Sequence, residues 1–163
     1  MTNSDHRYEF TASLAGTHWY YSHSGLQLWN GLSGPIIVRQ SRSADPNFAL
    51  YDKDLSEHVM LISDWMSVTP YDHFVNLMHD AYLFNGMSTL INGRSRKFEV
   101  RDVYNLTGSP QTSARTPMST FRVERNKRYR FRIISQSQKC PFSFFVDNHN
   151  FHVNAFAFVV YLI

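Results

Sequence analysis

The 163-residue sequence predicts an all-β fold, a sandwich or barrel built from short antiparallel strands. Three observations predict it. Aromatic residues make up 15% of the chain, with 13 Phe and 9 Tyr, and aromatic side chains favour strands. Charged residues make up only 18%, too few for a disordered chain. Short apolar or alternating runs also follow one another with Gly, Asn, Asp and Pro between them, which is the rhythm of strands and turns.

The elements follow in order. Tyr8-Glu9-Phe10-Thr11-Ala12 alternates weakly, His18 to His23 reads as a strand, and Gly34-Pro35-Ile36-Ile37-Val38-Arg39 as another. Two or three strands cannot bury both faces of a sandwich, so residues 1–40 read as the closing part of one domain. Residues 41–56, rich in Ser and Asp and holding Pro46, read as a linker. Residues 57–163 form a second unit, opening with the buried-type strand His58–Trp65. A short helix is expected next, with Thr69 as cap, Pro70 at its first position and Asp72 in its first turn. Phe74, Leu77, Met78 and Ala81 give that helix an apolar stripe, and Asn85-Gly86 ends it.

Thr89–Gly93 follows. Phe121-Arg122-Val123 then leads through residues 124–127 into Arg128–Ile134, a pattern expected of a hairpin. Phe142–Val146 and Asn150–Val153 flank a turn at Asp147-Asn148-His149. The last stretch, Ala155–Ile163, is almost wholly apolar and is expected to form an unpaired strand edge, prone to aggregation. It resembles the end of a truncated or misread gene product.

The net charge of +3 is unevenly placed: residues 94–132 hold eleven of the sixteen Lys and Arg. In Tyr129-Arg130-Phe131-Arg132-Ile133 the charges alternate with large apolar residues, as on a half-buried strand with a solvated face. No nucleic-acid module accompanies this stripe, so it reads as surface rather than as a nucleic-acid site. Cys140 is the only cysteine, which excludes an internal disulfide and a Cys-x-x-Cys site and fits a small buried hydrophobe. Asn105-Leu106-Thr107 matches a glycosylation acceptor. The first residues hold no signal-peptide apolar core, and no run reaches the ~18 apolar residues of a membrane span. Gly-x-Ser-x-Gly, phosphate-cradling loops, His-Glu-x-x-His and dinucleotide fingerprints are all missing from the sequence.

The most informative run is Gly16-Thr17-His18-Trp19-Tyr20-Tyr21-Ser22-His23-Ser24-Gly25. Residues two apart on a strand project from one face, so Tyr21 and His23 face the same way. His18, five residues before His23, faces the other. His58, His73, His79, His149 and His152 are scattered without a metal-ligand spacing, and Met66 and Met78 read as core.

This run, with Gly31-Leu32-Ser33-Gly34-Pro35-Ile36-Ile37-Val38-Arg39, resembles the end of the first cupredoxin domain of laccase-type multicopper oxidases, with an animal leaning. His58–Met66, the Leu90-Ile91-Asn92-Gly93-Arg94 signature, Phe121–Ile134 and Cys140–Asn150 resemble most of the second domain. The resemblance implies a cupredoxin-like Greek-key β-sandwich and copper as cofactor. It implies oxidation of phenols, aromatic amines or metal ions, with oxygen reduced to water, at an extracellular or cell-surface location.

Carried across by residue, the resemblance makes His23 a copper ligand of the trinuclear cluster. Tyr21 stands where the paired histidine of a His-x-His motif belongs. By the same resemblance the first His-x-His motif lies before Met1, and the third-domain motifs with their relay cysteine lie after Ile163. One imidazole cannot close a copper site, so the isolated chain is expected to be inactive. The alternative is a non-catalytic cupredoxin protein that acts by associating with other cupredoxin domains.

Overall fold

The computed structural model describes residues 5–66, 69–78, 87–95, 98–99, 113–114, 117–138, 141–155 and 159–162. Its strands are β1 (Gly16–Tyr21), β2 (Ser33–Val38), β3 (Val59–Met66), β4 (Met87–Ile91), β5 (Phe98–Glu99), β6 (Ser113–Ala114), β7 (Tyr129–Gln136), β8 (Phe151–Ala155) and β9 (Val159–Leu162). Among the described residues one α-helix, α1 (Pro70–Met78), interrupts them. The fold is all-β and cupredoxin-like, as expected.

β1 and β2 form an antiparallel pair in which Gly16 faces Val38 and Tyr21 faces Ser33. A five-stranded sheet in the order β4-β3-β7-β9-β8 carries the core. Its pairs are antiparallel except β3 with β7, which run parallel with Met60 opposite Ile133. Met60, Ile62, Tyr129, Phe131 and Ile133 form the buried cluster, with Phe121, Phe142, Phe144 and Phe151 packed against it. Burying each such side chain contributes about 1.5–3 kcal/mol. His58 is wholly buried among them, its ring 4.9 Å from Tyr129 and 4.8 Å from Phe131.

The Asn92-Gly93 turn ends β4, with Ile91 bridged to Arg94 across it. Asn92 takes a left-handed conformation (φ 50°). Its side chain accepts from the Leu61 N–H at 2.7 Å and donates to the Val59 carbonyl at 2.9 Å, extending the ladder by one step. The cap on α1 forms as expected, with the Thr69 hydroxyl accepting from the Asp72 N–H at 3.1 Å.

Six expectations need correction. The Tyr8–Ala12 segment is not a strand, and Tyr8 and Phe10 stand in solvent. The 121–134 hairpin does not form. β7 gives one edge to Lys53 and β3 and the other to β9, so no edge is left for residues 121–123. Phe142–Val146 is likewise irregular, although the turn at Asp147-Asn148 is present. The terminal strand β9 is not an unpaired edge, because it lies between β7 and β8. On α1, Phe74, Leu77 and Met78 are exposed instead of buried; no described element covers them. Ala81, Asn85-Gly86, Asn105-Leu106-Thr107 and Cys140 lie outside the described residues.

The expected solvated face of β7 is the sixth correction. Alternation does place Tyr129, Phe131 and Ile133 on one face and Arg130 and Arg132 on the other. Yet Arg130 is 8% exposed and Arg132 3%. Residues 45–54 and β1 cover that face and supply the opposite charges. The remaining described cations of the stripe, Arg94, Arg122, Arg125, Lys127 and Arg128, are exposed as expected.

Candidate metal centre

Tyr21 ends β1 and His23 begins the turn beyond it. The ladder continues one bond past the strand, from the Ser22 N–H to the Leu32 carbonyl at 3.1 Å. Ser22 Oγ then accepts from the Ser24 N–H at 3.1 Å and holds the turn. Gly34 is required opposite Tyr20, since a Cβ there would sit 2.6 Å from the tyrosine ring. With that strand pair fixed, three side chains line up on one face. Trp19 stacks on Tyr21 with ring centroids 4.4 Å apart, and the Tyr21 and His23 rings are 4.6 Å apart. Tyr21 Oη and His23 Nε2 share a hydrogen bond of 2.8 Å.

Imidazole is a good copper ligand, whereas a neutral phenol is a poor one. Among the described residues no three His, Cys, Asp or Glu side chains gather as a metal site would need. One imidazole beside one phenol does not amount to a closed copper site.

The other candidates stay apart from this pair. His18 turns away and bonds the Leu14 carbonyl at 3.2 Å. His58 bonds the Arg122 carbonyl at 2.9 Å inside the core. His149 holds its own turn through the Asp147 carbonyl at 2.8 Å. His73 sits on α1, His152 on β8, and His79 lies outside the described residues.

The multicopper oxidase family model matches residues 56–159, and a second multicopper oxidase model matches residues 1–43. This chain belongs to the multicopper oxidase family. Laccase-1 of Pleurotus ostreatus is 38% identical over 147 residues, covering 90% of this chain and 24% of its own length. Laccase-1 of Fomitopsis schrenkii is 36% identical over 147 residues, or 90% of this chain and 23% of its own. Laccase-2 of Agaricus bisporus is 35% identical over 154 residues, or 91% and 26%. The chain thus spans about a quarter of the length of these relatives. Copper is the cofactor of the family, and no helix among the described residues is long and apolar enough to cross a membrane.

Sequence reasoning missed a tightly organised polar group of this multicopper oxidase chain. Arg132 grips Asp54 through two hydrogen bonds, from Nε to Oδ1 at 3.0 Å and from Nη2 to Oδ2. It also donates to Thr17 Oγ1 on β1 at 2.8 Å. Arg130 bonds Asp45 at 2.7 Å, and its guanidinium lies 4.5 Å from the centre of the Tyr51 ring. Burial pushes the Asp54 and Asp45 carboxyls up. Arg132 outweighs this at Asp54, and the Tyr51 hydroxyl, Asn47 N–H and Arg130 do so at Asp45, so both lie below the usual carboxylate value. Burial and the Asp45 hydrogen bond push the Tyr51 phenol up to about 12. On the surface nearby, hydrogen bonds from Arg128 hold Asp52 down to about 2. The signal was present in sequence: four acidic residues fall within 45–57, just ahead of β3.

Proposed function

We propose that this chain is part of a laccase-like enzyme that oxidises phenols, aromatic amines or metal ions and reduces oxygen to water. The observation that carries this reading is His23, set at the end of β1 in a segment matched by the family and held 2.8 Å from the Tyr21 hydroxyl. In this reading His23 lends one imidazole to the family's copper cluster, and Tyr21 occupies the place of its partner. Bound copper supplies the one-electron chemistry. This chain's own residues orient the imidazole: Trp19 backs the Tyr21 ring, and Tyr21 fixes the His23 plane and occupies its Nε2.

The same reading divides the chain into the closing part of a first cupredoxin domain (1–40), a connecting segment (41–56) and a second domain (57–163). The two family matches, 1–43 and 56–159, support that division. Other cupredoxin domains are the partners that would complete the ligand set, and the expected location is extracellular. By itself the chain is inactive, because the described residues offer copper a single imidazole with a phenol beside it.

Copper titration of the purified chain tests this, followed by optical absorption and by oxygen uptake with a phenol. Neither blue absorption nor oxygen uptake is expected; oxygen uptake would overturn the inactive reading. In a chimera carrying this segment in place of its counterpart in a complete laccase, Tyr21→His is expected to raise copper content and phenol oxidation. Unchanged copper content would show that Tyr21 does not occupy the partner position.

A further inference from the structure

A cavity of about 460 Å³ lies between the start of β1, the end of β2 and residues 39–54, with Arg130 and Arg132 of β7 behind it. Its volume falls within the range of small-molecule sites. Four arginines and three aspartates line it, so the balance of charge decides what it can hold.

Every carboxylate of the lining is already held. Asp45 accepts from Arg130 at 2.7 Å and Asp54 from Arg132 at 3.0 Å. Asp52 accepts at 3.0 Å from Arg128, which is not part of the lining. Two guanidiniums are left in excess. Arg39 reaches Asp54 only at 3.7 Å, behind Arg132 and Arg130, and its Nη2 donates to the Ser56 hydroxyl at 3.3 Å. Arg42 meets no carboxylate among the described residues and lies 4.3 Å over the Phe48 ring. Both residues are exposed, so an incoming ligand can reach them.

The chemistry narrows the ligand. Uncompensated cations in a cleft concentrate anions. A guanidinium takes a carboxylate through two parallel N–H bonds, and stacking on Phe48 fixes the plane of the Arg42 fork. Asp45 and Asp54 stand behind the cations, so a second negative charge on the ligand would be repelled. A bare oxyanion would leave the apolar walls, Val38 and Phe48, against water. We propose that this cavity binds an aromatic monocarboxylate, with Arg42 and Arg39 taking the carboxylate and the ring lying on the Phe48 side. The site uses neither Tyr21 nor His23, so this proposal and the copper reading can fail separately.

The test is a titration of the isotope-labelled full chain with benzoate in low-salt buffer, followed by NMR through the arginine Nε–H and backbone amide resonances. Benzyl alcohol, a ring without charge, and inorganic phosphate, charge without a ring, serve as controls. Saturable benzoate shifts around Arg39, Arg42 and Phe48 are expected, with roughly millimolar affinity. Arg42→Gln should weaken binding about tenfold and leave the thermal midpoint in place, because Arg42 is exposed. No saturable shift up to about 50 mM, or binding unchanged by Arg42→Gln, would overturn the site. Benzyl alcohol binding as tightly as benzoate would overturn the role of the carboxylate, and phosphate binding as tightly would overturn that of the ring.

Discussion

Thr17 and Tyr21 lie on the same face of β1, yet the two ends of that face do opposite work. At the Thr17 end, 8% exposed, the hydroxyl accepts from Arg132, which in turn holds Asp54. Each charge there has a named partner and little water. At the Tyr21 end, 39% exposed, a phenol and an imidazole share one hydrogen bond beside solvent. The first arrangement ties β1, β7 and residues 45–54 together. The second leaves an imidazole within reach of an incoming ion. Committed groups hold the fold, and loosely committed groups remain open to ligands.

Breaking the buried end should have the largest effect. Asp54→Ala strips the bidentate partner from Arg132 and removes a carboxylate 3.5 Å from Arg130. Leaving a buried cation uncompensated costs about 3–5 kcal/mol. Urea denaturation should therefore show a large drop in midpoint. A loss below about 1 kcal/mol, the value of an exposed pair, would mean the cluster is better hydrated than its burial indicates.

Proton titration reaches the same end without mutation. Asp45 and Asp54 are held below their unfolded value near 3.9. Their contribution is therefore present above about pH 4 and drains away as pH falls through the folded-state values. Tyr51 runs the other way. Pushed up to about 12, it favours the protonated fold, and that contribution is lost as pH rises from about 10 to about 12. Urea midpoints measured across this range should fall on both limbs. The double variant Asp45→Asn, Asp54→Asn should flatten the acid limb, and an unaltered limb would assign acid sensitivity to other groups.

These two predictions concern residues the sequence did not reveal, and the reason is physical. Alternation in Tyr129–Ile133 correctly separated the two faces of β7, but a period says nothing about what covers a face. The cover came from Asp45 and Asp54, 85 and 78 residues away in the chain. The same limit explains the missing hairpin: residues 121–123 had the pattern of a strand, but β3 and β9 had already taken both edges of β7. It explains β9 as well, whose apolar run proved to be an interior strand. Local chemistry was readable where partners are near in sequence. The Thr69 cap, the Asp147-Asn148 turn and the Tyr21–His23 alignment all rest on contacts within a few residues.

A site between these extremes is Asn92, whose side chain extends the β3–β4 ladder through two hydrogen bonds to β3. Asn92→Ala removes both bonds and leaves a Cβ residue with a short side chain at φ 50°. A loss of about 2 kcal/mol is expected, read from the same denaturation curves. Asn92→Gly relieves the backbone while losing the same bonds, so it should cost less than Asn92→Ala. If the two lose equally, conformational strain contributes nothing there.

The exposed end should respond least. Tyr21→Phe removes the hydroxyl that meets His23 Nε2 but keeps the ring stacked on Trp19 at 4.4 Å. Water replaces the lost partner at a half-exposed imidazole, so stability should shift by less than about 0.5 kcal/mol. The His23 ring, no longer anchored by the phenol, should instead sample more orientations, visible as broadened or shifted imidazole resonances in NMR. A destabilisation above about 1 kcal/mol would place the Trp19–Tyr21–His23 ladder with the buried cluster as a structural feature, and the contrast between the two ends of β1 would no longer hold.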